Sequence, residues 1–129
     1  MGLCPEKFGP YFWATFHMAC LFATDREALE AFIQAFANVL PCPNCQWHFK
    51  RLLNEFPPPT GGTDLQYFAW SVDMHNKVND RLKKPRVSYE EALELWGKCD
   101  VDEGPDWTTL GLALILVALV IILFAKFKK

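Results

Sequence analysis

The sequence predicts an all-α protein: a four-helix bundle plus a short fifth helix, followed by a single C-terminal transmembrane helix. Three observations predict it. Apolar residues recur at helical spacing along most of the chain before Trp107, and no convincing period-two stretch occurs. Ser/Thr-x-x-Glu/Gln boxes at Thr24–Glu27, Thr63–Gln66 and Ser88–Glu91 mark three helix starts. The segment WTTLGLALILVALVIILFA, 107–125, carries no charge and is long enough to cross a bilayer as a helix.

Taken in order, the first helix is expected from Phe8 to Phe22. The second follows the Thr24 cap, with Leu29, Phe32, Ile33 and Phe36 as its apolar stripe. The third begins at the Cys42–Cys45 pair, because Pro43 suits a first helical position, and ends before FPPPTGG. The fourth is DLQYFAWSVDMHNKVNDRL and the fifth YEEALELWGKC. The expected layout is a folded domain over 1–100, an acidic linker at 101–106, the membrane helix at 107–125 and a basic tail at 126–129.

All fifteen acidic residues lie before Trp107 with ten of the Lys and Arg, so the folded part carries about −5 and no basic stripe. That balance argues against a nucleic-acid partner. The start, MGLCPEKFGP, has no apolar core of a signal peptide and misses the Ser or Thr of a myristoylation site. A C-terminal anchor with no signal peptide leaves the domain facing the cytosol, whereas Lys126, Lys128 and Lys129 pull the other way under the positive-inside rule.

The chemistry centres on VLPCPNCQWHF. Cys42 lies at the expected start of the third helix and Cys45 one turn in. Unpaired backbone N–H groups and the helix dipole favour a thiolate there, and the two-residue spacer allows a small reactive disulfide. Thioredoxin is the familiar owner of such a pair, but its βαβ setting is missing. Zinc fits the same spacing: Cys42, Cys45 and His48, with His75, His17 or Cys99 as a fourth ligand. On the pair alone, a redox disulfide and a metal site remain open.

The fourth helix tips the balance. Helical spacing puts Val72, His75, Asn79 and Leu82 near one face, with Asn76 beside it and Lys83 and Lys84 at its end. A face mixing imidazole, amides and lysine is poor as pure core, since each buried amide needs partners. It suits a wall that stacks on a ring system, donates to polar ring edges and meets phosphate. Trp13 and His17, one turn apart after Gly9, form a second polar-aromatic set.

Together these pieces resemble the Erv/ALR family of FAD-dependent sulfhydryl oxidases. The matching residues are Gly9, Trp13 and His17; Cys42 and Cys45; Trp70, His75, Asn76, Val78, Asn79, Leu82 and Lys84; and Trp96. The stretch HNKVNDRLKKP is the specific part. Pro10 stands where the family often has arginine, and Phe22 where a pocket tyrosine is usual. Val72 and Tyr89 replace the cysteines of a second, structural disulfide, as in the short forms encoded by large DNA viruses.

The resemblance implies a catalytic Cys42–Cys45 pair, with FAD held by Gly9, Trp13, His17, His48, Trp70, His75, Asn76, Val78, Asn79, Leu82, Lys84 and Trp96. Electrons would pass from client dithiols, or a thioredoxin-like shuttle, through the pair to FAD and then to oxygen, giving hydrogen peroxide. It also implies a homodimer through the first two helices and a relay cysteine, for which Cys99 and Cys4 are candidates; Cys20 reads as a plain buried residue. With the anchor, the expected site of action is a membrane, of the host cytoplasm or the virion for a viral chain. The rival readings are a zinc-stabilised, membrane-tethered helical adaptor without turnover, and a membrane protein with an inert cysteine pair.

Overall fold

The computed structural model describes residues 4–98, 108 and 111–118. Five helices run in order through the first stretch: α1 (Pro5–Phe22), α2 (Arg26–Val39), α3 (Pro43–Glu55), α4 (Asp64–Arg81) and α5 (Tyr89–Trp96). Among the described residues there is no strand. Residues 1–99 form one compact unit and 100–129 another.

The helix ends follow local chemistry. α1 starts a turn before the expected Phe8 because Pro5 occupies the first turn, where a missing N–H costs nothing, and Pro10 is accommodated inside the helix. The α2 cap is Asp25 rather than Thr24: its carboxylate accepts the Ala28 N–H at 3.0 Å, and an ionised oxygen is the stronger acceptor at a helix start. The boxes at Thr63–Gln66 and Ser88–Glu91 both close reciprocally, as the sequence predicts. α5 stops at Trp96, short of Cys99. A Cβ on Gly97 would sit 2.8 Å from the Leu93 carbonyl oxygen, so glycine alone fits the exit.

The core is mainly aromatic. Phe16 of α1, Phe36 of α2 and Phe49 of α3 meet pairwise at 4.6 to 5.5 Å between ring centroids and join three helices at one point. All three are buried, and full burial of such a ring contributes about 1.5–3 kcal/mol. α4 adds Tyr67 and Met74 to this core. A smaller cluster of Phe68, Val72 and Ala92, flanked by Leu21, Val87 and Trp96, seats α5. Where the resemblance noted a missing disulfide, Val72 packs in the cluster that holds Ala92, and the Tyr89 hydroxyl donates to Asp73 at 2.6 Å.

The α4–α5 connection is fixed at two points. Lys84 N–H bonds the Asn79 carbonyl and Lys83 N–H the Asp80 carbonyl, closing the helix with Lys83 at φ 55°. A non-glycine residue held there costs about 1–2 kcal/mol. The Asn76 amide then grips Val87 in both directions at 2.9 Å: Nδ2 donates to its carbonyl and Oδ1 accepts its N–H.

In the second unit, residues 111–118 are helical, and Leu112, Leu114, Ile115, Leu116 and Val117 are exposed. Among the described residues no helix is long and apolar enough to cross a membrane. Trp107, residues 109–110 and 119–125 of the expected span, the 101–106 linker, the 126–129 tail and Cys99 lie outside the described residues.

Candidate functional site: a disulfide in an aromatic cavity

All five helices of the first unit contribute to a cavity of about 730 Å³, within the ~300–1,000 Å³ usual for a cofactor site. α3 supplies its reactive edge. Cys42 is the N-cap, its Sγ accepting the Cys45 N–H at 3.1 Å, and the two sulfurs are joined in a disulfide. Both cysteines are half-buried and line the cavity. Both sulfurs are in that bond, and among the described residues no three His, Cys, Asp or Glu side chains are grouped to hold a metal ion; Cys99, a ligand of the zinc reading, lies outside those residues.

Opposite the disulfide stands an aromatic wall. Trp13 stacks on His75 at 4.2 Å, and His17 on Trp96 at 4.2 Å. The cavity also carries positive charge from Arg81 and Lys84, near the Glu6 carboxylate. The hydrogen bond from Cys4, then that from the Glu6 backbone, and last the Lys84 charge hold the Glu6 carboxyl below its ordinary range.

Of the residues expected to hold a cofactor, Gly9, Trp13, His48, His75, Val78, Asn79, Leu82, Lys84 and Trp96 line this cavity. Three do not. His17 is fully buried behind the wall, bonded through Nε2 to His75 Nδ1 at 3.0 Å and through Nδ1 to Ser71 at 2.7 Å. Asn76 spends its amide on Val87. Trp70 donates its indole N–H to the Phe56 carbonyl and borders a separate hollow. Sequence reasoning missed Arg81, hidden among neighbouring lysines, and Glu6, which carries no periodic signal. It also missed Ser71, a mid-helix serine like any other until its partners are known.

The cavity fits a flavin dinucleotide. Asn79 is 7% exposed, yet its side-chain amide has no hydrogen-bond partner among the described residues. An amide on the cavity lining with no protein partner offers both a donor and an acceptor to a polar ligand. The stacked wall offers flat faces to a ring system, Arg81 and Lys84 offer positive charge to a phosphate, and the disulfide offers a two-electron partner.

Burial pushes the Cys20 thiol up to about 12, so it stays protonated, as expected of a plain buried residue. Cys4 is exposed at the start of α1.

Burial, then its neighbour His75, pushes His17 down to about 3; burial, then Lys84, pushes His75 down to about 4. Both values lie below the ordinary 6.5 of the unfolded chain, so the unfolded state binds more protons as pH falls. The stability that these neutral rings contribute is complete above about pH 6.5 and is lost as the pH drops toward 4 and 3. Near pH 5, His17 alone should add a slope of roughly 1.4 kcal/mol per pH unit. Urea unfolding between pH 7 and 4.5 checks this: His17→Gln should flatten the slope by about that amount, and an unchanged slope would show that His17 is not held neutral.

Comparison with known proteins agrees with the geometry. Residues 10–97 match the Erv1 / Alr family. The chain is 36% identical over 96 residues to the FAD-linked sulfhydryl oxidase of African swine fever virus, covering 69% of this chain and 79% of that one. It is 30% identical over 110 residues to protein 088R of Frog virus 3, covering 78% and 73%. The crystal structure of the yeast Erv1 core superposes with a TM-score of 0.65 at 22% identity, over 74% of this chain and 86% of that one, which establishes a shared fold. The match from Pro10 to Gly97 takes in α2 to α5 and most of α1, and this chain belongs to the Erv1 / Alr family.

Proposed function

We propose that this protein is an FAD-linked thiol oxidase that forms disulfide bonds in client proteins. One observation carries the reading: the Cys42–Cys45 disulfide lines the same cavity as the Trp13–His75 stack and the Arg81 and Lys84 cations. FAD, when bound, supplies the two-electron acceptor that reoxidises the pair and hands those electrons to oxygen, which becomes hydrogen peroxide.

The chain's own chemistry is thiol–disulfide exchange. A client thiolate attacks Cys42 Sγ; a new S–S bond forms, the Cys42–Cys45 bond breaks, and Cys45 leaves as a thiolate. The second client thiol gives up its proton and attacks the mixed disulfide, freeing Cys42 and closing the client's disulfide. Two electrons and two protons have then left the client. We assign exchange to Cys42, at the helix cap, and electron delivery to Cys45, a turn deeper in α3. The Cys45 N–H that reaches Cys42 Sγ, with the positive end of the helix dipole, stabilises negative charge on sulfur.

The cavity residues divide the work of holding the cofactor. Trp13, His75 and Trp96 offer flat faces, Gly9 and Val78 leave room beside them, and Asn79 pairs a polar edge. Lys84 and Arg81 neutralise phosphate, while Leu82 and His48 border the cavity. His17, Asn76 and Trp70 act one step back, fixing His75, the connection at Val87 and the chain exit at Phe56.

The assignment of Cys45 has a direct check. Cys45→Ser should keep the yellow colour of bound flavin and lose dithiol-driven oxygen consumption to background. Turnover at the wild-type rate in that variant would overturn the role given to this sulfur.

For the remainder of the chain we propose a single-pass C-terminal anchor over 107–125, which places the enzyme at a membrane, and a homodimer through α1 and α2. The uncharged run and the apolar helical residues 111–118 support the anchor; exposed Tyr11, Met18 and Phe22 on α1 support the dimer. In cells making the full chain, alkaline carbonate should leave it in the membrane pellet, and sedimentation in detergent should give twice the chain mass. Release into the supernatant would remove the anchor, and a monomer mass would remove the dimer.

A further inference from the structure

Buried behind the cavity wall is a chain of hydrogen bonds whose protons can be counted. The Ser71 hydroxyl oxygen lies 2.6 Å from the Phe68 carbonyl oxygen. A carbonyl has no proton to give, so the hydroxyl hydrogen must lie between them and Ser71 is the donor. Ser71 Oγ also lies 2.7 Å from His17 Nδ1. Its only hydrogen being committed, it can meet His17 only as an acceptor, and His17 therefore carries a proton on Nδ1.

His17 is fully buried between Trp96 and Trp13 and is neutral at working pH, so it has one ring proton and its Nε2 is bare. That bare nitrogen lies 3.0 Å from His75 Nδ1, which must then be the donor. His75 is also neutral above about pH 4, so its own Nε2 is left as a lone pair. No protein group among the described residues bonds that nitrogen, and the cavity His75 lines is the one bounded by the disulfide. The Cys20 thiol also lies beside Ser71. Its thiol keeps its proton, so it places no demand on the serine hydrogen.

We propose that Ser71 is a positioning residue: through His17 it fixes the proton of His75 on Nδ1, so that His75 meets the flavin nucleotide with a bare Nε2 that accepts a hydrogen bond from one of its N–H or O–H groups. This rests on the flavin reading above and deepens it. The polarity is the point of the device. An isolated imidazole swaps its donor and acceptor ends freely; here a carbonyl at the buried end of the chain forbids the swap. The wall then discriminates for a ligand donor and against an acceptor at that place, since two facing lone pairs forfeit the bond and leave both groups unpaired.

The test reads the protons themselves. Long-range ¹H–¹⁵N correlation spectra of the full-length, histidine-labelled chain at pH 7, with and without bound FAD, report which ring nitrogen carries the hydrogen. Both His17 and His75 should be protonated on Nδ1 in either state. Ser71→Ala should turn His75 into a mixture of tautomers and weaken FAD binding about tenfold, the size expected for one buried hydrogen bond. Ser71→Thr, which keeps the hydroxyl, should restore both. Wild-type His75 protonated on Nε2 overturns the proposal, as does Ser71→Ala with a pure Nδ1 tautomer and unchanged affinity. Should Ser71→Ala fail to fold, the wild-type spectrum still decides. A chain with the expected tautomers that binds no FAD overturns the flavin reading and the ligand half of this proposal, while the proton chain itself stands.

Discussion

Cys42 caps α3 with its own sulfur, accepting the Cys45 N–H at 3.1 Å, and the chemistry of the fold depends on that placement. A helix N-terminus carries partial positive charge and open donors, so a sulfur held there is stabilised whenever it becomes negative. Thiol exchange needs that charge at every step. The remaining helices keep the site in place. Phe16, Phe36 and Phe49 lock the middle of α3 against α1 and α2, and the cavity opens next to that lock, with Phe36 and Phe49 on its lining.

The opposite wall is rigid for a different reason. α1 and α4 are joined by stacked rings and by hydrogen bonds that run from Phe68 through Ser71 and His17 to His75. Buried polar groups cost stability unless paired, and Ser71 and both ring nitrogens of His17 are paired here. The connection after α4 is pinned by Asn76 and by the left-handed turn at Lys83, which delivers Lys84 to the cavity. Backbone strain beside a binding site is stabilised by the contacts around it. Because Val72 and Tyr89 hold α5 by packing and a hydrogen bond, the described fold contains one disulfide, and that one is the reactive pair.

Much of this was legible in the sequence. Pro43, the Thr63–Gln66 and Ser88–Glu91 boxes and the Pro/Gly break fixed the helix starts and the main loop, because these signals are local. The cavity lining on α4 was legible at His75, Asn79 and Leu82, because one helical face keeps its period. What was not legible depends on partners far away in the chain. Asn76 shares the motif with its neighbours, but its amide turns to Val87. His17, read from the sequence as a cofactor contact, is fully buried and bonded to His75, which lines the cavity, since its depth is set by α4 and α5 rather than by α1. The α2 cap moved by one residue because Thr24 and Asp25 both suit the role and only their geometry separates them.

The central claim is that the Cys42–Cys45 bond and a flavin share one cavity and one pair of electrons. Anaerobic titration of the purified, full-length protein with a dithiol tests it most directly, following the visible flavin absorbance together with the number of free thiols. The account predicts that the flavin band bleaches as the disulfide is reduced, and that Cys42→Ser and Cys45→Ser each uncouple the band from the dithiol. A disulfide that opens fully while the flavin stays oxidised would contradict it.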